Sequence, residues 1–245
     1  MTRLCLFGES SLVEEYAAVL LNRGCSVHAR LNTRGRATQP LPRGTRRTAT
    51  PVRAVDFAME LTNSDPEQKQ KNLMELDKVV SEKIPIITSS VTVTLAEQAG
   101  WVKHPARLIG LGAFPTFLEG SLVELCTAEG TAEKAAQAVA DFFRSVGKET
   151  SMVADTTGLV LPRIVCMLVN EAYFAMMEGV AHAREIDTAM KLGTNYPRGP
   201  VEWAERIGLY HVHAVLSALH ASFGEDRYRV APLLLRSMRQ GAGVV

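Results

Sequence analysis

LCLFGESSLVEEYAAVLLNRGCSVHARL, Leu4 to Leu31, is the stretch whose reading decides the fold. The apolar run Leu4 to Phe7 stops at Gly8, and Leu12, Val13, Tyr16, Ala17, Leu20 and Leu21 then recur at helical spacing. Gly24 supplies a helix stop, and Cys25 to Leu31 reads as a second strand. Strand, helix and strand in that succession form a βαβ unit, which calls for a parallel sheet.

Downstream, Thr33 to Arg53 holds Pro40, Pro42 and Pro51, two glycines and six arginines, and no acidic residue occurs between Glu15 and Asp56. This composition predicts a loop. Alternation resumes with a strand over Val55 to Leu61, a helix from Pro66 to Glu82, and strands at Ile84 to Thr88 and Leu108 to Leu111. A sheet of five or six strands is expected. Thr131 is the expected N-cap of a helix whose apolar positions run from Ala132 to Val146 and end at Gly147, and Met152 and Val153 read as the last strand. From Pro162 onward the patterning is helical only: Pro162 to Val180, Glu185 to Leu192, Val201 to Gly208, Leu209 to Phe223 and Ala231 to Gln240. The expected class is therefore α/β plus all-α, with a parallel-sheet domain over residues 1–154 and a helical domain over 155–245.

Composition narrows the function. The chain has 245 residues, 47% of them hydrophobic and 22% charged, enough for a sizeable core. A net charge of +1 gives no bulk attraction to nucleic acid or to an anionic membrane, so neither is an expected partner. Cys5, Cys25, Cys126 and Cys166 are scattered without metal-ligand spacing, and no apolar run approaches the ~18 residues of a membrane span. A cytoplasmic, soluble protein without a metal site is expected.

Five stretches then point to one family. AMELTNSDPEQKQKNLMELDKVV (from Ala58), ITSSVTVTLAE (from Ile87), RLIGLGAFPTFLEGSLVEL (from Arg107) and DTTGLVLPRI (from Asp155) occur in order before IDTAMKLGTNYPRGP, Ile186 to Pro200. They resemble the 3-hydroxyacyl-CoA dehydrogenases, whose corresponding segments include NTSSL, HFFNP and DTPGFVVNR. The resemblance is stronger still to the second, cofactor-poor copy in long dehydrogenases of the phenylacetate pathway. It implies a shortened Rossmann-like domain, a C-terminal helical domain like that of 6-phosphogluconate dehydrogenase, NAD as cofactor, an acyl-CoA as ligand, and a homodimer formed through the helical domain.

Residue by residue, the resemblance is uneven. The family's histidine base falls on Gly112 and its partner glutamate on Glu124; the substrate-binding serine falls on Ser89, beside Ser90, and the site asparagine on Pro162. Ser89 and Glu124 are thus the surviving catalytic candidates. Glycine cannot accept a hydroxyl proton, and the proline side chain neither donates nor accepts a hydrogen bond. The dinucleotide motif G-x-G-x-x-G is represented by Gly8-Glu9-Ser10-Ser11-Leu12-Val13, with Gly8 and Ser10 as cofactor-binding candidates and Asn32 at the position of the ribose-binding acid. Glu9 is expected to set a carboxylate beside the pyrophosphate. Weak or absent NAD binding follows.

Other residues carry blander expectations. Arg34, Arg36, Arg43, Arg46, Arg47 and Arg53 suit the phosphates of CoA or a solvated loop. Met167, Met176, Met177 and Met190 suit an acyl pocket or core packing, and His104 a substitute base or a surface position. His211, His213 and His220 share a helix with no carboxylate placed to complete a metal site, and Pro197, Gly199 and Pro200 fix a turn.

Overall fold

The computed structural model describes residues 1–32 and 40–240. Two compact units divide the chain, Met1–Leu159 and Val160–Val245. The first is built on an eight-stranded sheet: β1 (Arg3–Gly8), β2 (Ser26–Leu31), β3 (Arg46–Arg47), β4 (Phe57–Leu61), β5 (Ile86–Ser89), β6 (Leu108–Leu111), β7 (Leu122–Cys126) and β8 (Glu149–Met152). Their spatial order is β3-β2-β1-β4-β5-β6-β7-β8. Every pairing is parallel except β6 with β7.

The sheet is larger than the five or six strands expected, for a physical reason. Central strands are covered on both faces and read as continuous apolar runs. β3 is two exposed arginines inside the expected loop and lacks that signature, and β7, LVELC, pairs between β6 and β8 where no strand is expected, while the half-exposed β8 overlaps the expected last strand at Met152. The last strand ends at Met152, and Val153 lies beyond it.

Helices α1 (Ser10–Asn22), α2 (Pro66–Val79), α3 (Leu95–Ala99) and α4 (Glu133–Ser145) complete the unit. Alternate residues of β1 serve its two faces. Leu4 and Leu6 join Leu12, Tyr16, Val139 and Phe143 of α1 and α4, while Cys5 and Phe7 join Leu73 and Leu76 of α2. Thr131 is not the cap of α4. Ala132 holds that position, and the Thr131 hydroxyl accepts the Ala128 amide at 3.1 Å, closing the preceding turn.

The second unit is α5 (Leu161–Met177), α6 (Ala183–Thr194), α7 (Pro200–Ile207), α8 (Leu209–Phe223) and α9 (Pro232–Gln240). Here the stretch Ile186 to Pro200 finds its structural meaning. Buried Asp187 of α6 accepts the amides of Val201 at 2.8 Å and Glu202 at 3.1 Å, so a side chain from one helix caps the start of the next. Burial pushes the Asp187 carboxyl up, although both amides pull it down. Gly199 must be small, because a Cβ there would lie 2.1 Å from Asp187 Oδ1. Among the described residues no helix is long and apolar enough to cross a membrane.

Candidate functional site

The strand order reverses between β1 and β4, and in open parallel sheets ligands bind at the carboxyl ends of the strands beside such a switch point. Gly8 closes β1 so tightly against β4 that a Cβ would lie 2.3 Å from the Leu61 carbonyl oxygen, and the Glu9 amide donates to that carbonyl at 2.9 Å. Glu9 Oε1 then accepts the Asn63 amide at 3.1 Å, the Ser64 amide at 2.6 Å and the Ser64 hydroxyl. An internal carboxylate therefore bridges the turns after β1 and β4.

The other cofactor candidates are committed elsewhere. Ser10 donates its hydroxyl to Glu14. Asn32 donates its side-chain amide to Thr62 Oγ1 at 3.0 Å and accepts Asn72 Nδ2 at 3.0 Å, while its backbone amide donates to the Gly8 carbonyl at 2.8 Å. Below this cluster the ion pair Lys69–Glu60, 2.5 Å apart, is buried, with Lys69 also donating to the Thr62 carbonyl at 3.0 Å. Burial raises the Glu60 carboxyl pKa against the opposing pull of Lys69. A pyrophosphate needs free backbone donors and no facing anion. Glu9 sets a carboxylate in the turn from β1 into α1, where a pyrophosphate would meet the helix N-terminus, so this turn does not fit the phosphates of a dinucleotide.

A second cluster is formed by Ser89 at the end of β5, Gly112 just after β6, and Glu124 in the middle of β7, opposite Gly112. Ser89 Oγ donates to Asn63 Oδ1 at 2.5 Å, and Asn63 Nδ2 donates to the Ala113 carbonyl at 2.7 Å. Gly112 donates its amide to the Glu124 carbonyl at 2.9 Å, and a Cβ on Gly112 would stand 3.2 Å from Glu124 Cβ and 3.5 Å from its Oε2. Ser89, Asn63 and Glu124 are all buried. The arrangement offers a hydroxyl, an amide and a carboxylate, and Gly112 brings no imidazole to them. Neighbouring Cys126 is no nucleophile: burial, with Asp155 close by, pushes its thiol up to about 12.

Asn63 escaped the sequence reading. Its backbone amide meets Glu9, its side chain meets Ser89 and Ala113, and its carbonyl accepts Thr92 Oγ1 at 2.7 Å. Within the string TNSD it has the look of an ordinary polar turn residue, and only strand pairing reveals it as the link between the two clusters.

The remaining candidates lie apart. His104 precedes β6, at the opposite end of that strand from Gly112, where it contacts Asp77 at 3.2 Å and is no substitute base. Pro162 is buried in the first turn of α5, within the second unit. Arg34 and Arg36 fall outside the described residues; Arg43, Arg46, Arg47 and Arg53 are exposed. Met167, Met176 and Met190 are half-buried and Met177 is exposed. Among the described residues no group of three or more His, Cys, Asp or Glu side chains is placed to hold a metal ion.

A mostly parallel sheet whose order reverses between β1 and β4, followed by a helical unit, defines a Rossmann-like α/β unit joined to an all-α unit. The sequence profile of the 3-hydroxyacyl-CoA dehydrogenase NAD binding domain matches residues 13–156, and that of the 3-hydroxyacyl-CoA dehydrogenase C-terminal domain matches residues 158–243. The chain belongs to the 3-hydroxyacyl-CoA dehydrogenase family. It is 31% identical over 188 residues to 3-hydroxybutyryl-CoA dehydrogenase of Clostridioides difficile, covering 77% of this chain and 67% of that protein. Over 117 residues it is 36% identical to 3-hydroxyadipyl-CoA dehydrogenase of Escherichia coli K12, covering 48% of this chain and 25% of the relative. Its fold matches that of (S)-3-hydroxybutyryl-CoA dehydrogenase from Ralstonia eutropha with a TM-score of 0.80 at 24% identity, covering 98% of this chain and 94% of the other.

Proposed function

We propose that this chain is an acyl-CoA-binding member of its family whose degenerate site does not support NAD-dependent oxidation of a 3-hydroxyacyl-CoA. The observation that carries the reading is the Glu9 carboxylate, held by the Asn63 and Ser64 amides in the turn from β1 into α1, where the fold would otherwise bring a pyrophosphate to the helix N-terminus. Gly112 supports it independently, since a general base contributes about 10²–10⁴-fold to such a reaction and no imidazole stands there. Ser89 and Glu124 remain as polar groups able to position an acyl thioester. The four free, buried cysteines are in keeping with a cytoplasmic protein.

Calorimetric titration tests the reading. Acetoacetyl-CoA should bind, NADH should give no heat, and NADH binding with Kd below about 100 µM would overturn the reading. In the variant Glu9→Ala/Ser10→Gly, with the anion removed and a second glycine in the turn, NADH binding should appear.

The helical unit is proposed to pair two copies of the chain. Leu161, Ile164, Met177, Val180 and Leu192 are all exposed on it. Light scattering at micromolar concentration should give twice 26.7 kDa, and a clean monomer would refute the pairing.

A further inference from the structure

Between β6 and β7, residues 113–120 form a strap that side chains of other elements hold at both ends. At its start, the Ala113 carbonyl accepts Asn63 Nδ2 at 2.7 Å and lies 3.5 Å from Ser89 Oγ. Asn63 Oδ1 in turn accepts the Ser89 hydroxyl at 2.5 Å. The strap therefore fixes which way the Asn63 amide faces, and through it where the Ser89 hydroxyl points.

Farther along, the strap docks on α1, whose preceding strand β1 stands three places from β6 in the sheet. Glu15 Oε2 accepts the Thr116 amide at 2.7 Å, and Glu15 Oε1 accepts the Leu118 amide at 3.0 Å. Lys148, just before β8, donates to the Leu118 carbonyl and, at 2.6 Å, to the Gly120 carbonyl. Leu118 is buried in the cluster that holds Leu12 and Tyr16 of α1. Burial pushes the Glu15 carboxyl up and Glu119 adds to the rise, while the two amides and Lys148 pull it down.

Thr116 shows why a hold is needed. Its φ of 70° is left-handed, a conformation that a β-branched residue adopts only under constraint. The Thr116 hydroxyl is buried without a hydrogen-bond partner among the described residues, so the constraint acts on its backbone, and the Glu15 carboxylate supplies it. Without that acceptor Thr116 is free to leave the left-handed region, and the chain between Ala113 and Leu118 changes direction. We infer that Glu15 is a positioning residue for the Asn63–Ser89 pair, acting through the strap rather than by touching either side chain. Its effect on a ligand rests on the acyl-CoA reading; its effect on Asn63 does not.

The test reads the whole chain by ¹⁵N NMR, with calorimetric titration of acetoacetyl-CoA alongside. Glu15→Ala should shift the Asn63 side-chain amide signal and speed hydrogen exchange of the Thr116 and Leu118 amides by about tenfold or more. Acetoacetyl-CoA binding should weaken by a similar factor, about tenfold. Glu15→Gln keeps one acceptor oxygen and should fall between, and it carries the comparison if the alanine variant does not fold. Asparagine tolerates the left-handed region, so adding Thr116→Asn to Glu15→Ala should restore most of the Asn63 signal, a rescue that a purely local contact would not give. An Asn63 signal unmoved in both Glu15 variants overturns the inference, even if exchange at Thr116 and Leu118 rises. If Asn63 responds while acetoacetyl-CoA binds to no form of the chain, the positioning role stands and the acyl-CoA reading fails.

Discussion

Gly199→Ala should destabilise the helical unit out of proportion to one methyl group. The Gly199 φ of −75° is open to any residue, so the penalty is steric rather than conformational. The added carbon would lie 2.1 Å from Asp187 Oδ1, 2.3 Å from its Cγ and 2.4 Å from its Cβ. All three atoms belong to the side chain that accepts the Val201 and Glu202 amides at 2.8 and 3.1 Å. Displacing Asp187 leaves those first-turn amides without their acceptor, at about 1–3 kcal/mol for each such donor that stays buried, against about 1 kcal/mol for an average cap. An expected loss of about 2–4 kcal/mol follows. Urea unfolding followed by Trp203 fluorescence, in a Trp101→Phe background, reads the helical unit directly, since Trp203 lies on α7. Asp187→Gly removes all three clashing atoms, so adding Gly199→Ala to it should cost no more than about 0.5 kcal/mol further. Full additivity of the two substitutions, or a Gly199→Ala cost below about 1 kcal/mol, would refute the steric account.

Three other outcomes are expected. Lys69→Met strands Glu60, which is 0% exposed, and should cost about 3–5 kcal/mol, most of it recovered in Lys69→Met/Glu60→Leu; a worse double variant would show that the pair is not the cause. For Asp77, burial works to raise the carboxyl, but hydrogen bonds from Arg107 and the Lys103 amide prevail and hold it below 3.8. A depressed folded value means that the stabilisation is complete above the unfolded value and fades as pH falls through the lower folded one. Asp77→Asn should therefore flatten the decline in stability below about pH 4, and parallel acid limbs for the two proteins would contradict this. Gly112→His alone should leave acetoacetyl-CoA reduction at background, because the new Cβ, 3.2 Å from Glu124 Cβ, needs that side chain to give by a few tenths of an ångström and, on the proposed reading, the Glu9 anion still opposes the dinucleotide. Combined with Glu9→Ala/Ser10→Gly it should raise the rate by about 10²-fold or more, and brisk turnover by Gly112→His alone would sink the argument.

How far the sequence disclosed this molecule depends on where each feature's cause lies. Leu108 to Leu111 reads as a strand and is one, because a run buried on both faces announces itself locally. Leu209 to Phe223 is equally plain, since its periodicity is complete within one helix. Arg46–Arg47 owes its strand conformation to a neighbour on one side, and its own residues say nothing of it, while of Glu149–Met152 only the last residue reads as strand. The site divides in the same way. Ser89, Gly112 and Glu124 are legible one by one through motif resemblance, and strand order sets them on the neighbouring strands β5, β6 and β7.

The role of Glu9 could not be read from its motif, because it depends on the pairing of Gly8 with Leu61, which sets the turn after β1 against Asn63 and Ser64. The sequence shows only that a carboxylate has entered a turn where glycine belongs. The structure shows one oxygen of this carboxylate accepting the amides of the turn after β4, which holds the acid in the turn from β1 into α1. On the proposed reading, replacing the missing glycine alone should not give NADH binding in a calorimetric titration, and removal of the Glu9 anion should be needed as well.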